Sequence, residues 1–231
     1  MPFVSAPQAL APPRAVPDAR ALFPSGVGVL ASPVEATLQG LFPEELALVA
    51  RAVAKRQHEF ATGRRLARRL LATLGCPDRA LLADIDRVPR WPEGIVGSIS
   101  HGHGLCAVAA VRRGEIRGLG IDVEEADAVR PELWRRVLRP DEEKWLRAQP
   151  DARQIHLAAV FFSAKEAVYK AQFPLRRARL GFHDVSVELD PAASLFEAHT
   201  PGFARPLGGT FSIALPWVLA GLAIPDEERA V

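Results

Sequence analysis

Cysteine is scarce in this sequence: two in 231 residues, Cys76 and Cys106. Neither stands in a CxxC or Cys/His spacing, so a disulfide scaffold and a thiolate zinc site are excluded and a reducing, cytoplasmic setting is expected. No apolar run reaches the ~20 residues of a membrane span; Leu215 to Pro225 is short and holds two prolines. The first twenty residues lack the basic start and continuous apolar stretch of a signal peptide. Net charge is also scarce, at +2 from 29 basic and 27 acidic residues. A surface built wholly for nucleic acid or membrane is therefore not expected. What the chain does have is apolar material, 48% of its residues, enough for one large domain or two small ones.

The charge is unevenly placed. Residues 51–70 carry seven basic side chains against the single acid Glu59, a local charge of +6 that leaves the remainder at −4. Six prolines in the first 25 residues predict an irregular arm. Phe42-Pro43-Glu44-Glu45 opens a helix running to about Gln57, and a second pattern from Phe60 to Leu74 ends at Gly75 and Pro77. Three short β-branched runs follow, 95–100, 105–112 and 119–123, with glycine turns between them, and they predict three antiparallel strands. Pro140-Asp141-Glu142-Glu143 opens another helix, and a long one from about Ala152 stops at Pro174. Strand-like stretches return at 185–189, 194–198, 209–214 and 218–224. The order helices-then-strands occurs twice. It predicts an α+β fold of two halves, 1–124 and 125–231, each a small antiparallel sheet packed against helix, with a ligand groove between them.

Four stretches can carry chemistry. In Gly118-Leu119-Gly120-Ile121-Asp122-Val123-Glu124, residues two apart on a strand share a face, so Asp122 and Glu124 aim two carboxylates at one point. A hard divalent cation such as Mg²⁺ relieves their repulsion; solvent alone can do so too. In Phe161–Lys170, Glu166 and Lys170 lie four apart on one helix face, as a surface ion pair or as a carboxylate ligand or base beside a phosphate clamp. Ser100 and His101 end a strand but project to opposite faces, which argues against a hydrolase dyad. Arg56 and Arg64 share one side of a helix if Gly63 does not break it; they are either solvated stems or guanidinium forks for a phosphate.

Taken together, KRQHEFATGRRLARRLL, RVPRWPEGIVGSISH, GLGIDVE, FSAKEAVYKAQFP and LGFHDVSVEL resemble the 4′-phosphopantetheinyl transferases of the larger, pseudo-dimeric type. The resemblance spans about residues 40–224. It implies two related α+β halves about a pseudo-twofold axis, acting as a monomer that transfers the phosphopantetheine arm of coenzyme A to a serine of an apo acyl or peptidyl carrier protein. It further implies Mg²⁺ held by Asp122, Glu124 and Glu166, with Glu166, directly or through a metal-bound water, as the base. Lys170 would lie beside the pyrophosphate, and Lys165 of the same motif joins the cofactor-binding set. Arg56 and Arg64 would line the adenosine end; Ser100, His101 and Arg87 would meet the 3′-phosphate. The acidic loop Asp84-Ile85-Asp86 departs from the basic residues usual there. The rival expectation is a nucleic-acid or polyanion module on the 51–70 cluster, and a Mg²⁺ nuclease or phosphatase shares the carboxylates alone.

Overall fold

A computed structural model of the chain describes residues 15–226. In chain order its elements are β1 (Gly28–Pro33), α1 (Pro43–Val49), α2 (Ala54–Thr73), β2 (Ile95–Gly102), β3 (Leu105–Arg112), β4 (Ile116–Glu125), α3 (Trp134–Val137), α4 (Pro140–Arg147), α5 (Asp151–Arg176), β5 (Ser186–Asp190), β6 (Leu195–His199), β7 (Leu207–Ala214) and β8 (Trp217–Pro225). The class is α+β, with two antiparallel sheets of strand order β1-β3-β2 and β4-β8-β7-β6-β5.

Three apolar clusters stack these elements in four layers. Leu66, Leu70 and Leu71 of α2 cover Ile95, Cys106, Val108 and Ala110 on one face of the first sheet. The opposite face, through Leu105, Ala107 and Ala109, meets Leu119, Ile121 and Val123 of β4 and Leu219 of β8. The far face of the second sheet, including Val218, Ala220 and Leu222, is covered by α5 through Val160, Phe161, Ala164, Ala167 and Val168. A strand that alternates its side chains between two buried layers reads as a continuous apolar run, which is the pattern of β3 and β8.

Several expectations are corrected. The first helix stops at Val49, not near Gln57: Gln57 Nε2 donates to the Val49 carbonyl at 3.1 Å and satisfies that helix end. Helix α5 runs through Pro174 to Arg176, because a proline in the last turn removes only one bond and Arg177, in the left-handed region at φ 55°, still donates to Phe173 O at 2.8 Å. Strand β4, expected beside β3, pairs with β8 instead. Strand β1 was not anticipated. Within the expected irregular arm, Ala19–Leu22 form a 3₁₀ turn whose Leu22 joins the inter-sheet core; residues 1–14 of that arm lie outside the described residues.

One node occurs twice, with acid and cation 23 residues apart in each. Buried Glu45, at the third position of α1 after Pro43, accepts from Phe42 N (3.0 Å), Leu81 N (2.8 Å) and Arg68 of α2 (2.8 Å). Buried Glu142, at the third position of α4 after Pro140, accepts from Arg139 N (2.8 Å), Val187 N (2.7 Å) and Lys165 of α5 (2.6 Å). Each carboxylate thus closes its own helix start and pins the following long helix.

Candidate active site

The site forms where β2 and β4, edge strands of their two sheets, run side by side. An edge strand presents unpaired N–H groups that must find acceptors. Here Ser98 Oγ accepts from Ile121 N at 3.1 Å and Ser100 Oγ from Val123 N at 3.2 Å. Serines two apart on β2 therefore match amides two apart on β4. Ile99 and His101, on the other face of β2, turn to α2, where Ile99 meets Gly63 and His101 meets Arg56 and Glu59.

Helix α5 crosses β4 at backbone contact. A Cβ on Gly120 would lie 1.9 Å from Ala167 O, and one on Gly118 would lie 2.8 Å from Ala171 O. The two glycines let the helix approach until Lys170 reaches the strand. Its ammonium lies 2.6 Å from Asp122 Oδ1 and 2.8 Å from Ser100 Oγ, and Ser100 donates to the same Asp122 oxygen at 3.0 Å. Asp122 Oδ2 is buried with no hydrogen-bond partner. Burial raises the Glu166 carboxyl above the ordinary range, the charges of Asp122 and Glu124 add to the shift, and Lys170 opposes it. Glu124 is raised by burial and by Asp122, while the Glu125 amide, donating to Glu124 Oε1 at 2.9 Å, opposes the shift.

A cleft of about 610 Å³ opens beside this cluster, lined by Arg56, Arg64, Arg87, His101, Lys170 and Tyr169 among others. Helix α2 is continuous through Gly63, so Arg56 and Arg64 do share a side. Arg64 is 5% exposed; its Nε donates to Leu81 O at 2.7 Å, its guanidinium lies 4.2 Å over the Phe60 ring, and burial lowers its pKa to about 10. Arg56 donates to His101 Nε2, which leaves the ring proton on Nδ1, 3.2 Å from Glu59 Oε2. Burial, followed by the charges of Arg56 and Lys170, holds the ring pKa down to about 4, so His101 is a neutral link. Tyr169, the only tyrosine, stacks on Phe173 at 5.1 Å and lines the cleft; only its place in the helix motif marked it in the sequence.

Two expected ligands lie elsewhere in their chemistry. Lys165 is fully buried with its ammonium on Glu142, Val137 O (2.9 Å) and Phe182 O (2.9 Å); a cation so coordinated is a scaffold element and not a contact in the cleft. The Ser100 hydroxyl, which can donate once and accept twice, is filled by Asp122, Lys170 and Val123 and so braces these groups instead of facing a phosphate. The basic stretch divides: Arg64 is in the cleft, Arg65 is paired with Glu35 and Arg68 with Glu45, while Arg51, Lys55, Arg56 and Arg69 are exposed.

Two family models match this chain in series, the 4′-phosphopantetheinyl transferase N-terminal domain over residues 44–111 and the 4′-phosphopantetheinyl transferase superfamily over residues 118–210. The chain belongs to the 4′-phosphopantetheinyl transferase superfamily. It is 42% identical over 159 residues to 4′-phosphopantetheinyl transferase Svp of Streptomyces mobaraensis, covering 68% of this chain and 65% of the relative. It is 40% identical over 149 residues to 4′-phosphopantetheinyl transferase PptT of Mycobacterium tuberculosis, covering 64% and 65%. It is 34% identical over 154 residues to enterobactin synthase component D of Salmonella typhimurium, covering 65% and 62%. The aligned stretch thus spans just under two thirds of the length of these relatives.

Among the described residues, no three carboxylate, imidazole or thiolate side chains converge into a ready-made metal cage. A Mg²⁺ ion that keeps its waters and shares one or two carboxylates with substrate phosphates needs none. The orphaned Asp122 Oδ2 is an oxygen such an ion would satisfy, and the carboxylates of Glu124 and Glu166 lie close enough to feel the Asp122 charge. The residues present fit the ion that the family resemblance implies.

Proposed function

We propose that this protein, as a cytoplasmic monomer, transfers the 4′-phosphopantetheine arm of coenzyme A to a serine hydroxyl of an apo carrier protein and releases adenosine 3′,5′-bisphosphate, in a Mg²⁺-dependent reaction. The observation that supports this reading most is the Asp122–Ser100–Lys170 cluster, whose lysine lines a cleft that also holds Arg56, Arg64 and Arg87. Membership of the superfamily supplies the reaction class.

In this reading the cleft cations Arg56, Arg64 and Arg87 hold the phosphates and adenosine end of coenzyme A, with Arg56 steadied by His101. Mg²⁺ would be held through Asp122, with Glu124 and Glu166 at hand to share it or its waters, and would supply charge neutralisation on the pyrophosphate. Lys170, already poised on Asp122 at 2.6 Å, donates to the oxygen that leaves as the bridging P–O bond breaks. Glu166 takes the proton of the incoming serine as its oxygen bonds to the β-phosphorus and the bond to the leaving bisphosphate breaks. Enterobactin synthase component D and PptT are relatives in name; which carrier is served here, whether of siderophore, polyketide, nonribosomal peptide or fatty acid type, is decided by a panel of apo carriers.

The test is incubation with coenzyme A, Mg²⁺ and apo carriers, followed by intact mass. Gain of the phosphopantetheine arm on at least one carrier is expected; no gain on any of several sinks the reading. Asp122→Ala lowers transfer to background, whereas Arg64→Ala acts chiefly on coenzyme A affinity.

A further inference from the structure

The acidic loop is the feature the family resemblance left without a role. Asp84 and Asp86 line the cleft beside Arg87, where two bare carboxylates would repel a polyanionic substrate. Neither is bare. Asp84 Oδ2 lies 2.6 Å from Arg177, Asp86 Oδ2 lies 3.3 Å from the same guanidinium, and Asp86 Oδ1 lies 3.2 Å from Arg179. Both arginines follow directly on α5, so the loop between α2 and β2 is tied to the end of the helix that carries Glu166 and Lys170.

The same aspartate also shapes the turn. Asp84 Oδ1 accepts from Asp86 N at 3.0 Å and Val88 N at 2.9 Å, while Asp84 N donates to Val88 O and Arg87 N to Asp84 O, each at 3.0 Å. These bonds hold Arg87 at φ 66°, a conformation that costs a non-glycine residue free energy and persists only when its surroundings fix it. One oxygen of Asp84 thus sets the backbone that aims Arg87, and the other oxygen anchors that backbone to α5.

We propose that the Asp84–Asp86/Arg177–Arg179 clasp is a positioning device: it neutralises the two cleft aspartates from outside and holds Arg87 in place for a phosphate of coenzyme A. Asp84, Asp86, Arg177 and Arg179 are positioning residues, and Arg87 is the group that touches substrate. The proposal rests on the coenzyme A reading above. Because Arg177 and Arg179 are about half and mostly exposed, the clasp loosens as salt screens it.

The experiment is a double-mutant cycle on the full chain, with coenzyme A affinity measured by titration calorimetry and kcat measured on an apo carrier. Asp84→Asn keeps an oxygen for the turn and removes the charge; Arg177→Gln removes the partner. Arg177→Gln is expected to weaken coenzyme A binding roughly five-fold, the scale of one lost charge-assisted contact, with its kcat within about two-fold of wild type and Arg177→Lys restoring most of the affinity; Asp84→Asn, which loosens the turn but also removes a charge that repels the substrate, is expected to weaken it less. Arg177→Gln costs clearly less affinity in the Arg87→Ala background than in wild type, since the positioning acts through Arg87 and only the repulsion of the uncovered aspartates is left. Amide exchange at Asp86 and Val88 speeds up in Arg177→Gln without ligand. Unchanged affinity in Arg177→Gln, effects that multiply with Arg87→Ala, or unchanged amide exchange overturns the clasp. A wild-type protein that binds no coenzyme A overturns the functional reading instead, and the clasp's purpose with it.

Discussion

Gly120→Ala tests how the fold makes the site. The added Cβ falls 1.9 Å from Ala167 O and 2.7 Å from Ala167 C. An ordinary contact needs close to 3.4 Å, so α5 must retreat from β4 by roughly 1–1.5 Å. Both partners are backbone in regular elements, and no side chain can rotate away to absorb the overlap. Overpacking of this kind costs about 1–3 kcal/mol, which for a chain of this size lowers the Tm by roughly 3–10 °C. The same retreat carries Glu166 and Lys170, which flank Ala167, away from Asp122, and a misplacement of ~1 Å costs about 10²-fold in rate. Differential scanning calorimetry and the carrier mass assay read the two effects. Gly208→Ala is the control, because nothing lies within 4 Å of its Cβ. A Gly120→Ala protein with wild-type Tm and wild-type transfer would refute the claim that glycine at this crossing sets the Asp122–Lys170 distance.

Two further outcomes follow from buried charge. Lys165→Met leaves Glu142 ionised and without its cation in the core and is expected to cost about 3–5 kcal/mol by urea unfolding at pH 7.5, recovered only in part by adding Glu142→Gln, whose amide nitrogen meets a backbone N–H donor of Arg139 or Val187; lost coenzyme A affinity with unchanged stability would instead make Lys165 a ligand. His101 has a folded pKa of about 4 against an unfolded value near 6.5. The unfolded chain therefore binds more protons between these values, so the stability from keeping His101 neutral is fully present above about pH 6.5 and is lost as pH falls toward 4. The loss between pH 7.5 and 5 is about 2 kcal/mol. Urea midpoints at both pH values should show a smaller fall in His101→Gln than in wild type, and equal falls would contradict the assignment.

Much of this was legible in the sequence because it is local. Pro43-Glu44-Glu45 and Pro140-Asp141-Glu142 announce their helices through terminal chemistry, and the β-branched runs of β2, β3 and β8 announce their strands. Asp122, Glu166 and Lys170 stood out by spacing, and the fold brings them to one place. What the sequence did not reveal is pairing at a distance. Nothing in Gly28–Pro33 marks a strand until β3 lies beside it, and nothing in β4 says that its partner is β8. Lys165 and Lys170 look alike in a helix motif, yet their positions on α5 send one into the core and the other to the cleft. The aspartates at 84 and 86 read as misfits in an anion site because their arginines are some ninety residues away.

The twin carboxylate nodes have a consequence for how such a molecule can change over evolutionary time. Helix α5 is moored by the residue next to its proposed chemistry and not by the chemistry itself, and α2 is moored by Arg68, one turn beyond the cleft residue Arg64. After the mooring Arg68 comes the exposed Arg69; after the mooring Lys165 comes Glu166. In both places the anchor holds the helix to a buried carboxylate while the residue after it differs in charge and role. A substitution at the anchor is therefore felt first in stability, and one at the neighbouring position of α5 first in the proposed reaction.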